Sequence, residues 1–329
     1  MAGQNAAASH WSSEMKAAPS SVRKPRALRK GSTLAFFAPA SPPADFGDVQ
    51  MGTIELRRLG FEIVSVQEFL PSGYFAGSTE ERLEGFRSAL QSKQISGLIA
   101  LRGGYGSTYL LDHLTPQDID QPKCLIGYSD VTSLQIFLWQ KAGWVTFHGP
   151  MLAAGFDHGA DDLRGYETGS LLNATMSTAA WSVPLSGEVI VAGEAEGKIL
   201  GGCLSMLQTS LGTPWEIDTS DSILLLEDTH IKPYQVDRVL MHLKQAGKLD
   251  NLHGLILGEF PGSEPQVANS PTVRQVCERI LAPLGVPIVF GAPVGHTKRA
   301  MLTMPLGIRA RLVAKGEGRL EFLESAVVG

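Results

Sequence analysis

The feature that most constrains the fold of this chain is an alternation of short apolar runs with longer amphipathic segments, which begins at Thr33. Short apolar runs are typical of buried strands, and segments with a helical period are typical of the helices that cover them. Strands that alternate with helices predict βαβ units and a parallel sheet with right-handed crossovers. In the first half of the chain, strands are predicted at 33–38, 62–66, 97–101, from Cys124 onward and at 144–147, with helices at 48–59, 79–91 (capped by Ser78 or Thr79) and 133–142.

A second unit begins near Gly197 and combines strands of both orientations, so the whole chain is predicted to be α/β. Because 329 residues exceed what one core usually fills, we expect two domains. The predicted divisions are a disordered basic leader (1–30), an N-terminal domain (31–154), a linker with one helix near 163–172 (155–193), and a smaller mixed β/α C-terminal domain (194–329). In this last unit, strands are predicted at 198–200, 222–227, 254–257, 287–290, 301–304 (stopped by Pro305), 308–313 and 319–323, and helices at 203–211, 234–246 and 271–284.

The distribution of charge limits the possible partners. The net charge is −5, but residues 1–30 hold six basic residues and one acid, which leaves about −10 on the remainder. An acidic body argues against nucleic acid as the main ligand, because binding to phosphates requires a basic face. The N-terminus lacks the apolar core of a signal peptide, no stretch approaches 18 uninterrupted apolar residues, and the three cysteines are widely spaced. We therefore expect a cytoplasmic protein with buried, unpaired cysteines and no membrane span.

Ser129 lies in the turn Gly127-Tyr128-Ser129-Asp130, between a predicted strand and a predicted helix. Ligand sites in parallel sheets lie at the carboxyl ends of the strands, where the loops 39–43, 102–107, 127–130 and 148–151 are expected to meet. A serine there, beside the free N–H groups of a helix N-terminus, is placed to act as a nucleophile. The turn matches the nucleophile elbow G-x-S-x-G except that Val131 replaces the second glycine. Taken alone, the turn is more simply explained as a helix cap.

A serine nucleophile requires a base and usually a carboxylate that orients the base. Glu227 ends an apolar predicted strand, and His296 follows a glycine-flanked loop, so both are predicted to lie at the rims of the sheet. A solvated acid and a hydrogen-bonded turn histidine are the simpler alternatives for these two residues. His148 is a rival base, since it ends a predicted strand near the turn. The histidines show no metal-ligand spacing, so no metal site is predicted.

The glycine-rich segment Arg102-Gly103-Gly104-Tyr105-Gly106-Ser107 allows close approach to its backbone. It could bind a phosphate, although its spacing fits neither a dinucleotide fingerprint nor a Walker loop. Its N–H groups could equally complete an oxyanion hole, and Arg102 could bind a substrate carboxylate through two hydrogen bonds.

Four stretches occur in an order that is specific in combination: ALRGGYGSTYLL (100–111), LIGYSDVTSL (125–134), LLLEDTHIKPYQVDRVLMHLKQAGKL (224–249) with GLILGEF (254–260), and GAPVGHTKRAMLTMPLG (291–307). Together they resemble the LD-carboxypeptidase family of serine peptidases, which includes muramoyltetrapeptide carboxypeptidases and microcin C self-immunity peptidases. The resemblance spans about residues 32–325.

The resemblance implies a flavodoxin-like N-terminal sheet, a mixed β/α C-terminal domain, a site in the cleft between them, and a homodimer. It also implies a Ser-His-Glu triad and an oxyanion hole. Two positions depart from the family pattern: Cys203 stands where an asparagine is common, and the loop 229–232 is bulkier and more basic. The residues assigned by resemblance are the triad Ser129, His296 and Glu227, the oxyanion-hole residues Asp130 and Gly104, and the substrate-binding residues Arg102, Gly103 and Tyr105.

The function implied by the resemblance is removal of a C-terminal D-amino acid from an L-centre, as in the murein tetrapeptide of peptidoglycan recycling, with no cofactor. A small peptide is then the expected partner. Two alternatives remain open: hydrolysis of a peptidyl nucleotide of the microcin C type, and a non-catalytic peptide-binding module.

Overall fold

The computed structural model describes residues 21–68 and 71–329, together with Pro19. In this part of the chain, fourteen strands form two sheets. The strands are β1 Thr33–Phe37, β2 Glu62–Ser65, β3 Ile95–Ala100, β4 Cys124–Gly127, β5 Thr146–His148, β6 Trp181–Pro184, β7 Glu188–Val191, β8 Gly193–Cys203, β9 Ser222–Glu227, β10 Gly254–Leu257, β11 Ile288–Phe290, β12 Met304–Leu306, β13 Arg309–Ala314 and β14 Arg319–Phe322.

Eight α-helices are described beside the two sheets, and three short 3₁₀ turns at Ser129–Val131, Phe156–His158 and Ala282–Leu284. The α-helices are α1 Phe46–Arg58, α2 Thr79–Gln91, α3 Thr108–Leu111, α4 Thr132–Ala142, α5 Thr168–Met176, α6 Leu204–Ser210, α7 Pro233–Gln245 and α8 Val273–Leu281. None of the described helices is long and apolar enough to cross a membrane.

The first sheet has the strand order β12-β5-β4-β3-β1-β2. Strands β1 to β5 pair in parallel, and their order 2-1-3-4-5 is that of flavodoxin-like folds. The parallel α/β sheet predicted from the alternating pattern is therefore confirmed. Helix α2 begins at the predicted residue, because the Ser78 side chain accepts from the Glu81 N–H while the Glu81 carboxylate accepts from the Ser78 N–H.

The second sheet has the order β6-β14-β13-β8-β9-β10-β11-β7. Its central strands β8 to β11 are parallel, and antiparallel strands flank them on both sides. The expectation of a mixed sheet is confirmed, and this sheet has more strands than the first among the described residues. Helix α4 lies between the two sheets and contacts both α6 and β8. It is buried on nearly every side, and the buried residues include its polar side chains Gln135, Gln140 and Lys141.

Three parts of the chain differ from the sequence-based expectation. Pro305 was predicted to end a strand, but it lies inside β12, which pairs antiparallel with β5 at the edge of the first sheet, where proline is tolerated. Strands β6 and β7 lie within the predicted linker and belong to the second sheet. The helix in that segment is α5, which begins later than expected. Glu167 is its N-cap, because the Glu167 carboxylate accepts from the N–H groups of Gly169 and Ser170.

The predicted disordered leader is too long at its C-terminal end. The backbone of Arg23 forms an isolated parallel β-bridge with Trp144, and the backbone of Arg26 forms one with Val328. The Leu28 side chain is buried in an apolar core that also contains Leu34, Phe61 and Val327. The remaining part of the predicted leader, 1–18 and Ser20, lies outside the described residues. The three cysteines are buried and unpaired, as expected.

Candidate active site

Ser129 lies between the end of β4 and the start of α4, in the left-handed backbone region with φ of +61°. A non-glycine residue with this φ is uncommon and costs on the order of 1–3 kcal/mol. A strained strand-to-helix turn is also how a nucleophile elbow exposes its serine. A β-carbon on Gly127 would lie 2.9 Å from the Cγ1 atom of Val131, so the tight turn requires the first glycine of the motif. The half-buried Ser129 is therefore held at the carboxyl edge of the first sheet.

The elbow is tied to the neighbouring strand by Gln135, a buried residue of α4. Its amide nitrogen donates to the carbonyls of Gly127 and Phe147, each at 3.0 Å. These carbonyls belong to the ends of β4 and β5. The bond pair fixes the start of α4 relative to both strands and so limits movement of the turn that carries Ser129.

Glu227 and His296 form a hydrogen-bonded pair that the second sheet holds in place. Glu227 ends β9, and its Oε2 accepts from His296 Nδ1 at 2.7 Å and from the His296 backbone N–H at 2.9 Å. A β-carbon on Gly295 would lie 2.2 Å from the Glu227 carboxyl carbon, so only glycine allows this approach. Because Nδ1 is occupied by the carboxylate, Nε2 is the nitrogen of His296 that remains available as a base.

The electrostatics of this pair follow from its burial. Burial alone would raise the pKa of the fully buried Glu227, but His296 and His148 hold its pKa well below the usual range. Burial lowers the pKa of His296, yet the facing Glu227 carboxylate outweighs it and raises that pKa above 6.5. The pair is thus arranged to stabilise positive charge on the imidazole, as a base that accepts a proton during a reaction requires.

His296 comes from the second domain and packs beside the residue that precedes Ser129. The ring centroids of Tyr128 and His296 are 5.0 Å apart in an edge-to-face arrangement. Close by, the Cys203 N–H at the end of β8 donates to the hydroxyl of Thr132 at the start of α4. Within the described residues, no hydrogen bond joins the Ser129 hydroxyl to His296. The structure therefore places the Glu227-His296 pair beside the turn that carries Ser129, without a hydrogen bond from the serine to the histidine among the described residues.

The glycine loop after β3 contacts the elbow through Gly103. A β-carbon on Gly103 would lie 2.8 Å from Ser129 Cβ, 2.9 Å from Ser129 Oγ and 3.4 Å from the Asp130 nitrogen. Gly104, with φ of +107°, faces a different neighbour, because a β-carbon there would lie 2.3 Å from Ser41 Oγ. Gly103 is thus the glycine of this loop that lies against Ser129, and the role of Gly104 as an oxyanion donor stays a prediction.

Asp130 and Arg82 hold the far end of the same loop. Asp130 is buried, and its Oδ2 accepts from the Ser107 N–H at 2.8 Å. The buried Arg82 guanidinium donates to the carbonyls of Gly106, at 2.9 Å, and of Pro39, and lies 4.8 Å from the centre of the Phe75 ring. Sequence reasoning missed Arg82, because nothing local separates it from the solvated basic residues of other helices.

A cavity of about 390 Å³ opens beside His296. Tyr128 and His296 line it together with His230 of the loop 229–232 and with Arg164 and His158, which sequence reasoning did not single out. Arg102 is half-buried, and its guanidinium donates to the Pro42 carbonyl at 3.4 Å. The half-exposed Tyr105 ring packs against Tyr74 and Tyr109 rather than against the pair formed by Glu227 and His296. No group of side chains that could hold a metal ion occurs among the described residues.

Gly103→Ala is expected to lower kcat/KM by about 100-fold, because its methyl group would displace the Ser129 hydroxyl and close the space beside the Asp130 N–H. Steady-state kinetics measure the loss, and thermal unfolding checks the fold. Gly47→Ala, at the exposed start of α1, is the matched control and should leave kcat/KM unchanged. Wild-type kinetics in Gly103→Ala would show that the close contact has no role.

A flavodoxin-like sheet that presents a serine on a strained elbow, and a second domain that supplies a buried Glu-His pair, define a class: two-domain α/β serine hydrolases. Family models agree with this class. The family model described as "LD-carboxypeptidase N-terminal domain" matches residues 34–149. The model described as "LD-carboxypeptidase C-terminal domain" matches residues 196–312.

Three relatives are similar over most of their length. The "Probable murein peptide carboxypeptidase" of Bacillus subtilis (strain 168) is 35% identical over 295 residues, which cover 88% of this chain and 91% of that protein. The solved muramoyltetrapeptide carboxypeptidase from Oxalobacter formigenes has a TM-score of 0.78 and 33% identity, with 89% of this chain and 99% of that chain covered. The wild-type unliganded structure of the microcin C7 self-immunity protein MccF has a TM-score of 0.84, covers 93% and 99% of the two chains, and is 24% identical, so it supports the fold alone.

This chain belongs to the LD-carboxypeptidase family of serine peptidases. The family resemblance seen in the sequence is confirmed, and the protein is a serine-type carboxypeptidase.

Proposed function

We propose that this protein removes the C-terminal D-amino acid from an L-centre of a murein tetrapeptide in peptidoglycan recycling, with Ser129, His296 and Glu227 as its catalytic triad. The observation that carries this proposal is the buried Glu227-His296 pair, joined at 2.7 Å beside the strained elbow of Ser129. A fully buried carboxylate that orients Nδ1 leaves Nε2 to act on a serine hydroxyl. The protein acts in the cytoplasm as a homodimer.

The reaction begins when His296 Nε2 takes the hydroxyl proton of Ser129 and the serine oxygen attacks the carbonyl carbon of the terminal amide. The tetrahedral intermediate collapses when His296 gives the proton to the departing amine, which leaves an acyl-enzyme on Ser129. Water then attacks the acyl carbon with His296 again as the base, the bond from the acyl carbon to the Ser129 oxygen breaks, and His296 returns the proton to that oxygen, which frees the shortened peptide. Closure of the gap between Ser129 and His296 accompanies substrate binding, since catalytic hydrogen bonds are often long in unliganded enzymes.

The negative oxygen of the tetrahedral intermediate is stabilised by the Asp130 N–H and by an N–H of the glycine loop, which we place at Gly104. The Asp130 nitrogen is favourable because it lies at the start of a helix and beside Gly103. Arg82 and the Asp130 carboxylate support this arrangement, since they hold the loop at both Gly106 and Ser107.

Binding of the free C-terminal carboxylate is assigned to Arg102, on the loop that touches Ser129, with Gly103 and Tyr105 as its neighbours in the substrate site. Arg164, an exposed guanidinium on the cavity beside His296, is a second group of the right charge. A guanidinium suits this role because its planar donors match a carboxylate. The names of two relatives, a murein peptide carboxypeptidase and a muramoyltetrapeptide carboxypeptidase, support a murein peptide as the substrate.

The experiment is incubation of the purified full chain with murein tetrapeptide and analysis of the products by mass spectrometry. We expect release of D-alanine and a tripeptide. A second candidate, hydrolysis of a peptidyl nucleotide, is favoured by MccF, which is 27% identical over 86% of this chain and has been solved with aspartyl sulfamoyl adenosine. An aminoacyl sulfamoyl adenosine is therefore assayed in parallel. Turnover of the nucleotide conjugate alone would replace the first proposal, and tight peptide binding without turnover would indicate a binding module.

A further inference from the structure

His148 ends β5 and is completely buried next to the Glu227-His296 pair. Its Nε2 lies 3.4 Å from Glu227 Oε1, whereas Oε2 of the same carboxylate accepts from His296 at 2.7 Å. The two oxygens of Glu227 therefore face two different imidazoles. One imidazole comes from each sheet region, because His148 ends β5 of the first sheet and His296 follows β11 of the second.

The position of His148 argues against its role as a base for Ser129. The side chain is 0% exposed, so a proton taken from a substrate or serine could not be passed on to water or a leaving group. The ring centroids of His148 and Tyr128 are 6.1 Å apart in an edge-to-face arrangement. On another side, a β-carbon on Gly202 would lie 3.3 Å from His148 Nδ1. The ring is thus enclosed on the side away from Glu227, and Nε2 lies 3.4 Å from Glu227 Oε1, although neither atom forms a hydrogen bond within the described residues.

The other titratable groups near Glu227 do not supply a second donor to its carboxylate. Cys203 lies across from Glu227 in the pairing of β8 with β9, and Asp228 follows it in sequence. The Asp228 carboxylate is already occupied, because it accepts from the Ser205 hydroxyl at 2.6 Å and the Ser205 N–H at 2.9 Å. Tyr128 lies near both imidazoles. The imidazole of His148 lies 3.4 Å from Glu227 Oε1, whereas His296 is bonded to Oε2.

We propose that His148 is a positioning residue that donates its Nε2 proton to Glu227 Oε1, and that it thereby orients Oε2 towards His296 and sets the pH at which His296 becomes an active base. This inference rests on the catalytic role proposed for Glu227 and His296. The donor fixes the carboxylate in a site where burial leaves no water to do so. It also withdraws part of the carboxylate charge from His296, so the imidazolium is stabilised less than by an unshared carboxylate.

The test compares His148→Leu with His148→Gln in the full chain. The leucine variant removes the donor, so kcat should fall roughly 10–100-fold with KM little changed. Glu227 stays ionised and is no longer shared, so the pKa of His296 should rise further and the acid limb of kcat/KM should move up by roughly half a pH unit or more. Glutamine can place an amide N–H where Nε2 lies, so His148→Gln should retain most of the activity and a profile near the wild type. His113→Gln, at an exposed histidine, is the matched control.

A purely structural role for His148 predicts a different result, namely a lower melting temperature with an unchanged pH profile, and this would overturn the proposal. Equal behaviour of the leucine and glutamine variants would also overturn it. Nitrogen-15 NMR of the histidines provides a readout that needs neither turnover nor a foldable leucine variant. In the wild-type protein, Nε2 of His148 should carry a proton, and a proton found on Nδ1 alone would contradict the inference. Because this readout is independent of substrate, it still decides the question if the proposed peptidase activity fails.

Discussion

Ser129→Ala is expected to abolish hydrolysis of the tetrapeptide, with kcat falling by about 10⁴-fold or more, because it removes the oxygen atom that is proposed to form the acyl-enzyme. The Oγ atom of Ser129 lies at the carboxyl edge of the first sheet, between the glycine loop and the domain that carries His296. Alanine keeps the β-carbon, so the elbow and its positive φ should persist. The measurement is D-alanine release under single-turnover conditions, with substrate affinity measured separately by calorimetry.

The backbone at position 129 provides a control that separates chemistry from folding. Glycine adopts a φ of +61° without steric cost, whereas alanine pays roughly 1–2 kcal/mol. Ser129→Gly should therefore be more stable than Ser129→Ala while being equally inactive. Activity near the wild-type level in either variant would remove Ser129 from the mechanism.

Glu227→Gln is expected to lower kcat by about 10³–10⁴-fold, as loss of the orienting carboxylate does in triads of this type. A neutral amide of the same shape cannot stabilise the imidazolium, and it can present an N–H group where His296 Nδ1 needs an acceptor. The sign of the pH effect follows from the wild-type interaction. The Glu227 carboxylate raises the pKa of His296, so its removal lowers that pKa and moves the acid limb of kcat/KM to lower pH. This is opposite to the shift expected for His148→Leu.

The same substitution should change how stability responds to acid. The folded-state pKa of Glu227 lies below its ordinary value of 4.5, so its ionised form contributes stability that is present above that value and is lost as the pH falls further. Glu227→Gln removes this dependence, and its melting temperature should fall less than that of the wild type between neutral and strongly acidic pH. Asp237→Asn, at an exposed ion pair with Arg279, is a control with a carboxylate that is not buried. Parallel acid curves for wild type and Glu227→Gln would contradict this account.

Local sequence signals predicted the elements that depend on local interactions. Strands 222–227 and 254–257 and helix 79–91 have the predicted bounds, because a continuous apolar run or a capping box marks each one. The sheet membership of β6, β7 and β12 was not predicted, since the partner of an edge strand is chosen by tertiary contacts.

For the site, residue types and their positions at strand ends made Ser129, Glu227 and His296 candidates, and the family resemblance assigned them as a triad. The supporting residues could not be found in this way. Arg82 is completely buried although it carries a charge, and only the fold shows that three loops surround it. The contact between His148 and Glu227 joins strands of different sheets, which no sequence period reports.

The antiparallel pairing of β12 with β5 affects how this protein can be divided. β12 follows the His296 loop by a few residues, and its Met304 is the register partner of His148. A chain cut between the two family-model segments would leave the first without its edge strand and expose the unpaired side of β5, where foreign strands could add. The C-terminal half of the chain therefore supplies a strand to the sheet of the N-terminal half. Fusion, truncation or permutation of this enzyme is best attempted at sites that leave the 291–306 connection intact.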